Sequence, residues 1–270
     1  MAKKRGTSRG ETISGTGSAD QLYGLGGDDL IIGKAGNDKI FGGNGFDVLR
    51  GGKGNDLIYG GNQSDTLRGE AGNDRLYGDA GNDVIFGGSG ADRLFGGASG
   101  DFLTDNSDDA NYIDAGDGGD SISVDGGAAP ITRFNTLIGG AGDDTIGDES
   151  GNSRIFGDSG ADTIRGGDGS DYVYGGVDSD VDTFRFGDND GAFNNLIAGS
   201  FDDVVFNYVD GVDTFNLLGV ALAFTFADIT VTDTIDTLHG AGAKVDYGTG
   251  VFFVAGYSQA VADASDFDFF

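Results

Sequence analysis

An all-β repeat protein is what the sequence predicts, and three observations predict it. Glycine fills 54 of the 270 positions whereas proline occurs once. A nonapeptide with glycine first and aspartate sixth recurs from Gly15 onward without a gap, and its eighth residue is always Leu or Ile. Glycine loses the most conformational freedom on folding and adds no side chain to a core. A chain so rich in it needs a compensating interaction, and the spaced aspartates are the candidates.

The array comprises ten units starting at residues 15, 24, 33, 42, 51, 60, 69, 78, 87 and 96. Their sixth residues are Asp20, Asp29, Asp38, Asp47, Asp56, Asp65, Asp74, Asp83, Asp92 and Asp101, and the fourth is glycine except at Ser18, Gln63 and Ser99. In each unit the first six residues read as a turn, with glycines for positive φ and close backbone approach. The last three read as a very short strand whose eighth residue points inward. One aliphatic side chain per unit makes a thin core against an ordering cost of about 1–2 kcal/mol per residue.

Charge narrows the function classes. Acidic residues number 45 against 16 basic ones, a formal charge of -29, and the only glutamates are Glu11, Glu70 and Glu149. Short carboxylates suit turns and tight oxygen cages. Left unneutralised, such charge opposes compaction. Nucleic acid is excluded as a partner, because phosphate binding requires a basic patch. Cysteine is absent, so no disulfide framework exists. The segment MAKKRGTSRGETIS lacks the apolar run of a cleaved leader, and its first 14 residues, with Lys3, Lys4, Arg5 and Arg9, are expected to be a solvated tail. No stretch is long and apolar enough for a spanning helix.

The pattern GGNGFDVLRGGKGNDLIYGG, residues 42–61, closely resembles the RTX (repeats-in-toxin, hemolysin-type) calcium-binding repeat, whose G-G-x-G-x-D-x-U-x signature forms a parallel β-helix. The resemblance implies a right-handed parallel β-roll in which two units make one coil, so that residues eighteen apart stack. At about 4.8 Å per coil the first array, residues 15–104, would be on the order of 24 Å tall. It also implies multiple calcium ions between stacked aspartates. One edge would use Asp20, Asp38, Asp56, Asp74 and Asp92, the other Asp29, Asp47, Asp65, Asp83 and Asp101, with weaker binding at the ends. Calcium accepts about six to eight oxygens in flexible geometry, which suits such a gap better than magnesium does.

Beyond residue 104 the register slips. Residues 105–138 are expected to form an irregular, bulged coil with one more unit at Asp120, nineteen residues after Asp101. A second array, 139–180, restores the period, with Asp144, Asp162 and Asp180 in one row and Asp171 weakened by Ser153 beneath it. Ninth-position residues Tyr23, Phe41, Tyr59, Tyr77 and Phe95 form an aromatic column. Two readings of it stand: coil-to-coil stabilisation, or an outward strip for self-association or contact with a surface or glycan. Residues 181–270 show short alternating apolar runs and are expected to form a C-terminal β capping module. The family resemblance implies a type I secretion signal at the extreme C-terminus, where Asp266, Phe267, Asp268, Phe269 and Phe270 fit its acidic-then-apolar form.

Catalytic signatures are missing. His239 is the sole histidine, which rules out H-E-x-x-H chemistry, and GYSQA at 256–260 departs from the nucleophile elbow at its last position. The array starts at residue 15, so no upstream catalytic domain is expected. The resemblance thus implies a secreted, extracellular calcium-binding protein, not an enzyme, exported by the type I secretion apparatus and serving adhesion, matrix assembly or host interaction. The alternative is an accessory or C-terminal folding and export module of a secreted enzyme. Unfolded in a calcium-poor cytosol, the acidic array would fold on meeting calcium outside.

Overall fold

The computed structural model describes residues 1–107, 109–125, 134–149, 152–167, 172–176, 180 and 182–185. Beyond these it describes the strands Asp202–Phe206, Thr214–Asn216, Thr230–Asp236, Gly240–Asp246, Val251–Ala255 and Phe267–Asp268. Among the described residues there is no helix, and none therefore that is long and apolar enough to cross a membrane.

Among the described residues there are two sheets, of 14 and 12 strands, and up to Thr214–Asn216 successive strands alternate between them, so that each coil contributes one strand to each. Within the array every pairing is parallel and the register step is eighteen residues: Leu22 lies beside Ile40, Ile40 beside Ile58, and in the facing sheet Ile31 lies beside Leu49 and Leu49 beside Leu67. The eighth-position residues from Leu22 to Leu103 are completely buried. Two aliphatic ladders meeting between the sheets therefore make the core, as period-two alternation across a strand requires. The chain is an all-β parallel β-roll.

Glycine spacing follows from the turns. The second and fourth residues of the units both adopt left-handed φ, as at Gly43 (115°) and Gly45 (130°). Among the described residues five units place an L-residue with such a φ at the second position all the same: Leu25, Lys34, Glu70, Asp79 and Asp158. Such a residue is strained by about 1–2 kcal/mol where glycine is not.

The N-terminal segment differs from the expected solvated tail. Lys3–Arg5 pairs with Gln21–Gly26, and Thr12–Ser14 pairs with Leu30–Ala35, making a first coil. The reason lies in G-T-S-R-G-E-T-I-S, residues 6–14, which is a unit with Glu11 in the sixth place and Ile13, 7% exposed, in the eighth. Residues 105–138 differ as well. Tyr112–Asp117, Ser121–Val124 and Phe134–Ala141 are regular strands of the same two sheets. The period stretches to nineteen and then twenty-four residues there. Ile113, Ile122 and Leu137 still reach the core, and burial of that one residue per unit preserves the phase.

On one face the rings of Tyr23, Phe41, Tyr59, Tyr77 and Phe95 stack at 4.7–5.2 Å with interplanar angles of 10° or less. Asp114 follows Phe95 in register and ends the column. The other face carries Arg68 over the Phe86 ring at 4.1 Å and an ion pair between Arg50 and Glu70. Near the C-terminus Asp202–Phe206 pairs in parallel with Tyr172–Gly176 and with Val251–Ala255, after which the sheet turns antiparallel through Gly240–Asp246 and Thr230–Asp236. Phe267 and Asp268 pair with Phe215 and Asn216. Asp171, His239, Asp266, Phe269 and Phe270 lie outside the described residues.

Lys34→Gly is expected to raise stability in calcium by up to about 1 kcal/mol, since relief of left-handed strain outweighs the added chain entropy. Gly52→Lys, at the position stacked on Lys34, is expected to lower it by more, because a Cβ there would also collide with the Lys34 carbonyl oxygen. The shift in urea midpoint measures both.

Candidate metal centre

Every sixth-position aspartate of the array is buried, with relative exposures of 1–4%. Two ladders account for half of each carboxylate. The backbone N–H of Asp38 donates to Asp56 Oδ1 at 2.7 Å, that of Asp56 to Asp74 Oδ1 at 2.7 Å, and so on to Asp92. On the other edge Asp29 donates to Asp47, and the ladder continues through Asp65, Asp83, Asp101, Asp120, Asp144 and Asp162. An eighteen-residue step across parallel coils sets each carboxylate beneath the preceding N–H. Sequence spacing thereby becomes a continuous hydrogen-bonded spine.

The second oxygen is different. Oδ2 of Asp29, Asp38, Asp47, Asp56, Asp65, Asp74, Asp83, Asp92, Asp101, Asp120 and Asp144 is buried and receives no hydrogen bond. A buried carboxylate oxygen left bare carries a large desolvation cost unless a charge compensates it. Apart from that of Asp120, whose unit begins with the buried Ala115, each such oxygen faces the first glycine of its own unit. A Cβ on Gly60 would stand 2.6 Å from Asp65 Oδ2 and 2.7 Å from the Gly78 carbonyl oxygen of the next coil. The same pairing of carboxylate and carbonyl oxygen recurs at Gly24, Gly33, Gly42, Gly51, Gly69 and Gly78. First-position glycine thus keeps open an oxygen-lined cradle that any side chain would fill.

This donor set fits a hard cation bound through oxygens. Among the described residues no three Asp, Glu, His or Cys side chains converge on one point. Backbone carbonyls must therefore complete any cage, and the glycine turns present them.

Electrostatics agree with the geometry. Burial pushes the carboxyls up, to about 7 for Asp56, about 8 for Asp65, about 6 for Asp74 and Asp83, and about 7 for Asp101 and Asp144. The backbone N–H bonds pull the other way, and neighbouring carboxylates add to the rise, as Asp38 and Asp74 do at Asp56.

The rows depart from expectation at their ends. Asp20 Oδ2 accepts hydrogen bonds from the Thr16 N–H at 2.6 Å and its hydroxyl at 2.8 Å. Hydrogen bonding, first from the Ala2 N–H, lowers its pKa. Glu11 is held in the same way by Thr7. A threonine in second position was the sequence mark of these caps. At the far end Asp162 donates to Asp182 Oδ1 at 2.9 Å. Asp182 therefore takes the place expected for Asp180, because the step there is twenty residues; Asp182 is buried and Asp180 exposed. On the first edge Asp92 is followed by Asn111 and Asn135. Both stand two residues before a core aliphatic, in the phrases N-Y-I and N-T-L, and that spacing was the signal by which they were legible. Asp148, at a first position, accepts hydrogen bonds from Asn135 and from Ser153 in its own unit's sixth place.

Parallel coils with oxygen-lined glycine cradles along two edges define the class as a calcium-binding β-solenoid. The family model of the RTX calcium-binding nonapeptide repeat matches residues 5–40, 32–67, 41–76, 68–103, 132–146 and 149–182, more than half of the chain. The chain belongs to that family, whose repeats bind calcium at multiple sites. Comparison with curated proteins finds no match.

A carboxyl whose pKa is higher in the folded than in the unfolded chain makes the fold bind extra protons. Its contribution is fully present below the ordinary value of 3.8 and is lost as pH climbs through about 6 to about 8. In excess chelator, acidification from about pH 8 to about 4 is therefore expected to increase β-sheet circular dichroism, across the window set by these groups. Loss of β signal over that window would contradict the assignment.

Proposed function

We propose that the chain is a secreted calcium-binding protein without catalytic activity that folds on meeting calcium outside the cell. The observation carrying this reading is the series of bare, buried Oδ2 atoms, most of them beside a carbonyl oxygen of the next coil. The residues proposed to hold ions are Asp38, Asp56, Asp74 and Asp92 on one edge. On the other they are Asp29, Asp47, Asp65, Asp83, Asp101, Asp120, Asp144 and Asp162, with Asp182 ending the row. Asp20 is left out, its Oδ2 being held by Thr16. Calcium, when bound, supplies the positive charge that offsets the buried carboxylates. The chain's own part is to align the oxygens: Oδ1 is tied to the coil before it, Oδ2 points into the cradle, and glycine keeps side chains away.

With a formal charge of -29 the calcium-poor chain repels itself, which suits passage unfolded through a type I secretion apparatus. Folding outside then makes export one-way. Adhesion, matrix assembly or host contact would be served by a rigid extracellular rod.

Circular dichroism during a calcium titration is expected to show a cooperative gain of β signal. Asp65→Asn should raise the calcium midpoint on the order of tenfold. A fully folded array in excess chelator at neutral pH would refute the coupling.

The half-exposed stack of Tyr23, Phe41, Tyr59, Tyr77 and Phe95 supports contact with a second copy or with an extended surface or glycan, since a flat aromatic strip offers apolar area at little entropic cost. Tyr59→Ser is expected to lower the sedimentation coefficient in calcium if the column joins two copies, and to leave it unchanged if the column binds a surface or glycan instead.

A further inference from the structure

We infer that Asp92 and Asp105 together hold one cation at a site outside the nonapeptide pattern, where a side-chain carboxylate replaces the backbone carbonyl used elsewhere in the rows. The inference rests on the proposed ion binding between coils, and it concerns the place where the first edge loses its aspartates.

Asp105 occupies the first position of its unit, where the ten preceding units have glycine. It is 1% exposed, as is Asp92. In a regular cradle the oxygen arriving from the next coil is the carbonyl of the first-position glycine, as Gly78 O is for Gly60 and Gly96 O for Gly78. At Gly87 that oxygen is Asp105 Oδ2 instead. A Cβ there would stand 2.7 Å from Asp92 Oδ2 and closer still to Asp105 Oδ2. Neither Oδ2 receives a hydrogen bond.

The other polar atoms are already engaged. Asp105 Oδ1 accepts from the Ser107 N–H at 2.8 Å. Asn111 Oδ1 accepts from the Asp92 N–H at 2.8 Å, and Asn111 Nδ2 donates to the Ser107 hydroxyl at 3.1 Å. The Ser107 hydroxyl in turn donates to the Gly90 carbonyl at 3.1 Å. Ser107 and Asn111 thus hold the Asp105 carboxylate in place, and the Oδ2 atoms of Asp92 and Asp105 stay bare beside Gly87. Two buried carboxylates so placed must share either a cation or a proton. A hard divalent ion matches the all-oxygen surroundings, and two full charges on one ion favour tight binding. The next positions in the row, Asn111 and Asn135, are neutral amides, so this pair closes the ion row on its edge.

The test uses the full chain, with calcium as the probe and equilibrium dialysis as the measurement. Asp105→Asn is expected to retain calcium-induced β signal while losing one bound ion, or binding it on the order of tenfold more weakly, whereas Asp105→Gly, which gives back the ordinary carbonyl cradle beside Asp92, is expected to keep the ion. Asp105→Gly restores the ordinary first-position residue and so guards against a folding defect. Asp117→Asn, an exposed change, should leave the count unaltered. Unchanged stoichiometry and affinity in folded Asp105→Asn would overturn the site. So would a protonated-carboxyl infrared band in the calcium-saturated protein that Asp105→Asn abolishes, because it would show the pair sharing a proton. Asp56→Asn separates the two levels of the argument. Loss of an ion there but not in Asp105→Asn sinks this inference alone, and loss at neither position sinks the reading of the rows themselves.

Discussion

A buried carboxylate with one oxygen hydrogen-bonded and the other bare is the arrangement on which the rest of this structure depends. The bonded oxygen is local bookkeeping between coils: Asp56 Oδ1 takes the Asp38 N–H, and Asp74 Oδ1 takes that of Asp56. Each such charge-assisted bond contributes modestly and repeats along the whole edge. The bare oxygen is the costly half. A thin core with one Leu or Ile per unit cannot by itself offset a series of unscreened buried charges, so the fold is conditional on something that neutralises them.

Glycine distribution follows from that condition rather than from chain flexibility. First-position glycines keep the cradle open beside Oδ2, whereas second- and fourth-position glycines supply the left-handed φ that turns the chain. The two roles tolerate substitution differently. Leu25, Lys34, Glu70 and Asp79 accept a left-handed backbone, a cost of about 1–2 kcal/mol each. At first positions, by contrast, any side chain larger than the buried methyl of Ala115 enters the cradle itself. Asp105 and Asp148, which stand there, bring a carboxylate with them, and the sixth place of the same unit then holds Asn111 or Ser153.

Ends and interruptions are handled by exchanging charge compensation for hydrogen bonding. Thr7 and Thr16 donate to Glu11 and Asp20 at the first coil of the roll. Asn135 and Ser153 do the same for Asp148 inside the roll. Neutral donors thus mark the boundaries of the rows, and bare carboxylates mark their interior. A solenoid stabilised by contacts between neighbouring coils tolerates such local exchanges, because each coil touches only the next.

The roll, its two edges and the aspartates along them were legible in the sequence, because in a solenoid a fixed spacing is a fixed contact: residues eighteen apart are neighbours wherever the period holds. The aliphatic at each eighth position and the aromatic column from Tyr23 to Phe95 were legible for the same reason. Where the period stretches, spacing loses its meaning, and only the tertiary structure decided the partners. It placed Asp182 rather than Asp180 beside Asp162, drew residues 1–14 into a first coil, and made regular strands of Tyr112–Asp117, Ser121–Val124 and Phe134–Ala141. It also decided which carboxylate oxygens are bare, since that depends on donors such as the Thr16 N–H and Asn135 Nδ2, which reach their acceptors through the local path of each turn rather than through the repeat.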